Sequence, residues 1–529
     1  MNFIQRPLRA FFAALETGLD RIFGTRLNPL YHLGALGFFL YWVVAVTGIY
    51  LYIFFDTGIT AAYESVEYLT HDQWYLGGVM RSLHRYASDA MVLFMVIHIF
   101  REFALDRHRG ARWFTWSTGT PILFLVFVCG ITGYWLVWDE LAQYVAIRST
   151  EWLDWLPIFV TPIATNFLTP QQLDDRFFTL MIYLHIAAPL ILLLILWIHL
   201  QRVTRAETNP PRGLAAGMFA AILALSLVKP AVSHGPADLT TVVSVVRLDW
   251  FYLGLYPLLD YWSSGTVWAT VGVVLLLLTV LPFLPPMRRA KPALVTLDQC
   301  NGCARCAADC PFNAITMAPR SDGKKFDRQA SVSASKCVSC GICVGACPTS
   351  TPFRRRAELI SGIDLPDRSL ADIRAAMHEA ADRLSGEPRI LVFGCAQGVR
   401  ARSLSVPGAA AVELPCIGNL PPSFIDYALS AGLADGVLLT GCPKGDCYNR
   451  FGIDWALGRV NGTRDPHLRE RVSREQIAQF WGHASEGAGL RREIRRFAAA
   501  LATLPKRQPP KRDGGPPPAP RHYKATSDA

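Results

Sequence analysis

In the first half of the chain, apolar residues run in blocks long enough to cross a bilayer. Beyond Leu284 they come only in short bursts. Six apolar stretches lie near 33–55, 80–100, 118–138, 178–200, 213–230 and 265–284. Each approaches the roughly 20 residues that span about 30 Å of hydrocarbon as a helix. The first 23 residues, MNFIQRPLRAFFAALETGLDRIF, interleave Arg, Glu and Asp with apolar positions. Residues 1–30 are therefore expected to form an amphipathic surface segment, not a signal-peptide core. Residues 31–285 are the expected transmembrane domain. From 386 to 460 the runs RILVFG and GVLLTG flank the helical pattern PPSFIDYALSAGLA, which predicts a small α/β domain with buried parallel strands. Residues 461–504 read as charged helix, and 505–529, rich in Pro, Lys and Arg, as a disordered basic tail. The fold class predicted is thus multidomain: an all-α membrane bundle followed by α+β and α/β domains.

Composition agrees. Of 529 residues, 51% are hydrophobic and 18% charged, against about 25% charged in soluble domains. A wholly soluble enzyme, a disordered chain and a disulfide scaffold are excluded. The formal charge of +10 invites a nucleic-acid reading, but its distribution points to topology. Fourteen Lys and Arg lie in the segments 1–32, 101–117, 201–212 and 285–291, and four in 56–79, 139–177 and 229–264. By the positive-inside rule both termini and the cysteine-rich half face the cytoplasm, with the lipid bilayer as partner and no nucleic acid.

The second and fourth apolar stretches each carry two histidines 14 residues apart, His84 with His98 and His185 with His199. Fourteen residues of helix rise about 21 Å and return to within about 40° of the same face. Two such helices set two histidines at each of two depths, which suits two haems, each held by two imidazoles and acting as an electron carrier. Gly34 with Gly48, and Gly119 with Gly133, repeat the spacing and would let a flat macrocycle approach the backbone. Arg81 and Arg101 lie three residues from a histidine, either to neutralise haem propionates or to snorkel to the interface. Cys129 reads as packing, and with no Cys-x-x-Cys-His in the chain covalent haem attachment has no support.

The stretches RSLHRYASDAMVLFMVIHIFRE, GITGYWLVWDE and RFFTLMIYLHIAAPLILLLILWIHL resemble the haem-binding core of the cytochrome b family of quinol–cytochrome c and plastoquinol–plastocyanin oxidoreductases. LDWFYLGLYPLLD resembles that family's Pro-Glu-Trp-Tyr segment, with Asp249 at the Glu position and Trp250 matching. The resemblance implies two b-type haems, a homodimer, and a quinone pocket on the outer face near the His84/His185 haem. Leu248 and Val137 stand where the family has prolines. Asp249 reads as a proton acceptor for quinone or as a solvated interfacial carboxylate.

Twelve of thirteen cysteines follow residue 299. Cys300-x2-Cys303-x2-Cys306-x3-Cys310-Pro311 repeats as Cys337-x2-Cys340-x2-Cys343-x3-Cys347-Pro348. This is the two-cluster ferredoxin pattern, in which each fourth cysteine serves the other cluster. Within a domain spanning 292–355, one 4Fe–4S cluster takes Cys300, Cys303, Cys306 and Cys347. The other takes Cys337, Cys340, Cys343 and Cys310. The insert 311–336 carries no evident chemistry. Cys395, Cys416, Cys442 and Cys447 fall at strand ends and loops of the α/β domain, where a 2Fe–2S cluster, zinc or buried free thiols all meet the spacing. FGCAQG, ELPCIG and ADGVLLTGCPKGDCYNRFG resemble the delta subunit of methyl-viologen-reducing hydrogenase, which implies one 2Fe–2S cluster. Gly398 stands where relatives often have a further cysteine.

Together these features predict a membrane subunit of a prokaryotic oxidoreductase in the plasma membrane. It would relay electrons between a soluble cytoplasmic dehydrogenase or flavoprotein and the quinone pool. Two further readings stand beside it: a redox anchor that serves another membrane protein without its own quinone site, and a hydrogenase-associated electron-transfer subunit.

Overall fold

The structure is a computed structural model that describes residues 2–158, 162–169, 172–201, 207–243, 245–284, 290–353, 359–401 and 405–505. Arg202, Arg205, Arg288 and Arg289 of the basic segments, and the tail from 506, lie outside the described residues. The chain divides into two units, Met1–Met287 and Arg288–Ala529.

All six expected spans are helical. α1 (Asn2–Phe23) is followed by α2 (Leu33–Phe54), α3 (Val79–Ala104), α4 (Trp113–Val137), α5 (Glu140–Asp154), α6 (Asp175–Gln201), α7 (Arg212–Val228) and α8 (Ser264–Val280). Among the described residues four helices are long and apolar enough to cross a membrane: Pro29–Phe54, Trp113–Val137, Asp175–Gln201 and Ser264–Phe283. The other two expected spans fall short for different reasons. α3 is 26 residues long but carries Arg81, Arg85, Asp89, Arg101 and Glu102, whereas α7 has only 17 residues. Packing is pairwise, α2 on α3 and α4 on α6.

α1 is amphipathic in the sense expected of a membrane-surface helix. Phe3, Ile4, Phe11 and Ile22 are exposed, while its polar side binds the end of α3: Gln5 donates to the Phe103 carbonyl (2.9 Å) and Arg9 to that of Ala104 (3.2 Å). At the opposite end the three connections poor in Lys and Arg bind one another. Ser233 donates to Glu67 (2.6 Å), Tyr63 to the His234 carbonyl (3.0 Å), and Gln143 and Asp238 exchange two bonds of 2.8 Å. The three connections poor in Lys and Arg thus meet one another at one end of the helices, and α1 meets the other end of α3. Asp139 caps α5 by accepting from the Ala142 amide (2.9 Å), satisfying a helix-end donor.

In the second unit, β1 (Leu294–Val295) pairs antiparallel with β4 (Ile363–Asp364). β2 (Ile315–Pro319) and β3 (Arg328–Val332) form a hairpin from the 311–336 insert. Two single-turn helices, α9 (Arg305–Asp309) and α10 (Ile342–Ala346), each sit inside a four-cysteine run. After α11 (Leu370–Asp382) come β5 (Ile390–Cys395), β6 (Ala409–Leu414), α12 (Pro422–Ser430), β7 (Gly436–Gly441), α13 (Gly452–Asn461), β8 (Ile477–Trp481) and α14 (Gly487–Ala502). The sheet is wholly parallel, in the order β6-β5-β7-β8. Every residue of β5 and β7 is buried, as continuous apolar strands between helical layers must be. The sheet extends past residue 460. β8 lies where the sequence predicts charged helix, because its five residues are flanked by polar segments that hide the strand.

Candidate electron-transfer centres

The four histidines meet in the pairs the spacing predicts. The His84 and His185 rings lie 6.3 Å apart between centroids. Two imidazoles on opposite sides of one metal atom, with bonds of about 2.0 Å, need a separation of that size. His98 and His199 lie within electrostatic reach of each other.

The surroundings fix which ring nitrogen is available. His84 Nδ1 lies 3.0 Å from the Val44 carbonyl, which can only accept, so Nδ1 carries the proton. Its other neighbour is the Thr47 hydroxyl at 3.2 Å, which itself donates to the Val43 carbonyl at 2.7 Å. The pattern repeats. Thr132 lies 3.1 Å from His185 Nδ1 and donates to Val128; Thr118 lies 2.9 Å from His199 Nδ1 and donates to Phe114. The Cys129 and Thr115 carbonyls face His185 and His199. Holding Nδ1–H in this way leaves the Nε2 lone pair for a metal. The residues present thus fit bis-imidazole haem. The threonines went unnoticed in the sequence, although three of the four spaced glycines follow one directly (Thr47-Gly48, Thr118-Gly119, Thr132-Gly133).

Each glycine sits against one imidazole. A Cβ on Gly48 would come within 3.0 Å of His84 Cε1, and one on Gly133 within 2.9 Å of His185 Cε1; at Gly34 and Gly119 the distances to His98 and His199 are 3.8 and 3.7 Å. Gly48→Ala and Gly133→Ala are therefore expected to cost about 1–3 kcal/mol of overpacking and to lower haem content. Gly34→Ala and Gly119→Ala are expected to do so less, as measured by thermal unfolding and haem per chain.

The two arginines expected near propionates are engaged within the protein. Arg81 donates to Thr70 and to Ser233 (2.7 Å) and pairs with Glu67 (3.5 Å). Arg101 pairs with Glu16 of α1 at 2.7 Å, and both side chains are buried. Around Glu102 gather Arg112 at 3.2 Å, Arg101 at 3.7 Å and Arg107 at 3.8 Å. Of this cationic cluster beside His98 the sequence marks only Arg101.

Asp249 is not a solvated carboxylate. Its side chain is 5% exposed and accepts from Arg85 (2.9 Å) and Tyr134 (2.5 Å); Arg85 also binds Asp89 at 2.7 Å. Trp250 is not brought to this cluster and is 72% exposed, as suits an interfacial aromatic anchor. Tyr252 anchors the segment instead. Its hydroxyl meets Ser88 Oγ at 2.5 Å, and its ring lies where any Cβ on Gly130 would fall within 2.1 Å.

In the second unit the thiols sort into three sets. Cys306 has Cys300, Cys303 and Cys347 around it, and Cys340 has Cys310 and Cys337. Both runs turn through left-handed residues at matching positions, Gly302 and Ala304 in the first, Ser339 and Gly341 in the second. Backbone amides of Ala293 and Ala314 donate to the sulfurs of Cys337 (3.4 Å) and Cys310 (3.3 Å). Burial pushes the Cys306 and Cys340 thiols up to about 12, so a bound cation would be needed to hold these two as thiolates near neutral pH.

The third set forms at strand ends. Cys395 closes β5, Cys416 follows β6 by two residues and Cys442 follows β7 directly. This is the carboxyl edge, where the chain runs from β5 to β6 on one side and from β7 to β8 on the other. Cys395 contacts Cys416 and Cys442, and Cys447 contacts the same two. Contacts from Cys416 and Cys442 hold Cys447 well below the usual thiol range. A Cβ on Gly398 would lie 2.2 Å from the Gly441 carbonyl carbon, so no fifth cysteine fits there. Among the described residues, no three His, Cys, Asp or Glu side chains close around a single ion.

Three family models match consecutive segments: cytochrome b/b6/petB over residues 19–206, 4Fe-4S dicluster domain over 299–351, and methyl-viologen-reducing hydrogenase, delta subunit, over 390–505. A chain of a solved structure titled "Hyperthermophilic respiratory Complex III" is 20% identical, with a TM-score of 0.40, over 48% of this chain and 75% of that one. The chain thus joins a cytochrome b-like helical region, a ferredoxin-like region and a delta-subunit-like α/β region in that order. The three family matches support a membrane electron-transfer subunit with haem and 4Fe–4S clusters.

Proposed function

We propose that this chain is the membrane subunit of a prokaryotic oxidoreductase, relaying electrons between a soluble cytoplasmic dehydrogenase or flavoprotein and the membrane quinone pool. His84, His98, His185 and His199 hold two b-type haems. The cysteine runs hold two 4Fe–4S clusters, with the fourth ligand exchanged, and Cys395, Cys416, Cys442 and Cys447 hold a 2Fe–2S cluster. When bound, these groups supply one-electron carriers.

The observation that carries the quinone end is the cluster of Asp249, Tyr134 and Arg85. A carboxylate and a phenol there both contact Arg85, the residue that follows His84. Quinone chemistry needs two electrons and protons, so a proton-handling pair belongs beside the carrier that serves it. Arg85 orients the carboxylate, and Tyr134 shares its proton with it. With the cysteine-rich half in the cytoplasm and this cluster at the outer face, quinone turnover is coupled to the membrane potential.

The test is to add quinol analogues to the purified complex and follow the b-haem α band. Asp249→Asn should lower quinol-driven haem reduction by about 10²-fold or more, the usual scale for a lost proton acceptor, with haem content unchanged. A second reading, a redox anchor without its own quinone site, is favoured by the ion pair itself, because Arg85 and Tyr134 already occupy the Asp249 carboxylate. No quinone response in the unsubstituted protein selects that reading, whereas an unchanged response in Asp249→Asn counts against a quinone pocket at Asp249.

A further inference from the structure

We propose that the turn Cys416–Asn419 is the contact between the delta-subunit-like site and the second ferredoxin cluster, and that the Asn419 carboxamide donates a hydrogen bond to a sulfur of the group held by Cys310, Cys337, Cys340 and Cys343. The inference rests on the 4Fe–4S assignment above and deepens it.

Asn419 is fully buried, and neither its Nδ2 nor its Oδ1 has a hydrogen-bond partner. A buried amide is costly to leave unsatisfied. Asn28 shows what a structural asparagine does in this chain: it donates to the Glu16 carbonyl (3.1 Å) and Asp20 (2.8 Å) and accepts from the Leu30 amide (3.0 Å). Asn419 makes no such bonds. Its carboxamide lies over Gly341, the residue after Cys340, where a Cβ would come within 2.5 Å of Asn419 Cγ.

The approach is built from both sides. Gly341 has a φ of 77°, and a Cβ on Gly345, two residues after Cys343, would fall 2.2 Å from the Gly418 carbonyl oxygen. Glycine at these positions lets the turn lie directly on the cysteine loop. Arg459, 1% exposed, fastens the contact: it donates to the Gly418 carbonyl (2.8 Å), the Ile342 carbonyl (3.3 Å) and Asp309 (2.5 Å), the residue before Cys310. At the start of the same turn, Cys416 is a thiol of the neighbouring site, and Cys340 is within its electrostatic reach. The second cluster, not the one on Cys300, Cys303, Cys306 and Cys347, is therefore the neighbour of the delta-subunit-like site. A hydrogen bond to a cluster sulfur favours the reduced state, which carries more negative charge. Asn419 thus raises the potential of that cluster and eases its exchange with the adjoining site.

The test is an anaerobic redox titration of the full-length protein followed by electron paramagnetic resonance, with the second cluster's signal assigned through Cys340→Ser. Asn419→Leu should move that midpoint to lower potential and leave the other two centres in place, at unchanged iron content. Asn419→Asp, of the same size but negative, should lower the same midpoint. If Asn419→Leu loses iron, the Asp variant decides on the same criteria. Unshifted midpoints, or a shift in a signal that Cys340→Ser leaves intact, overturn the inference alone. Absence of 4Fe–4S signals from the unsubstituted protein overturns the cluster assignment with it.

Discussion

Leucine in place of His84 or His185 is expected to leave one b-type haem per chain, half the normal pyridine-haemochrome yield. The two rings oppose each other at 6.3 Å, so each supplies one of the pair of imidazoles that the site needs. Their Nδ1 protons are committed to the Thr47 and Thr132 side of each helix pair, so Nε2 is the nitrogen that leucine removes. The second site lies 14 residues along the same helices, about 21 Å away, and should keep its haem and its spectrum. His98→Leu or His199→Leu should give the complementary loss. Retention of both haems in His84→Leu would place iron elsewhere and dismantle the membrane half of the account.

The second large effect concerns the crossed cysteines. Serine at Cys310, a member of the first run, is expected to abolish the resonance signal that Cys340→Ser abolishes. Serine at Cys347, in the second run, should abolish the one lost in Cys303→Ser. The reason is spatial: Cys340 has Cys310 beside it, and Cys306 has Cys347. If Cys310→Ser and Cys303→Ser strike the same signal, each run folds around its own cluster and the assignment is wrong.

What could be read from the sequence was what repeats at short range. The 14-residue histidine spacing survives into the structure because a membrane helix keeps its period over two full depths. The cysteine runs survive because each is a local loop with left-handed turns at fixed places. Partners far apart in sequence were not legible. Arg101 finds Glu16, 85 residues away, and Asp249 finds Arg85 across 164 residues. Both carboxylates are neutralised by contacts that no local pattern encodes, so Asp249 could be read as solvated and Arg101 as free for a propionate. Trp250 adjoins Asp249 in sequence, yet it turns outward while Tyr252, two residues on, docks inside. β8 escaped notice because a five-residue parallel strand is defined by its neighbour β7, not by its own alternation.

The most direct measurement is the haem and metal content of the intact protein, purified anaerobically. The account predicts two protohaems per chain with the iron and labile sulfide of two 4Fe–4S clusters and one 2Fe–2S cluster. Zinc in place of that iron, or a preparation without protoporphyrin, would contradict it.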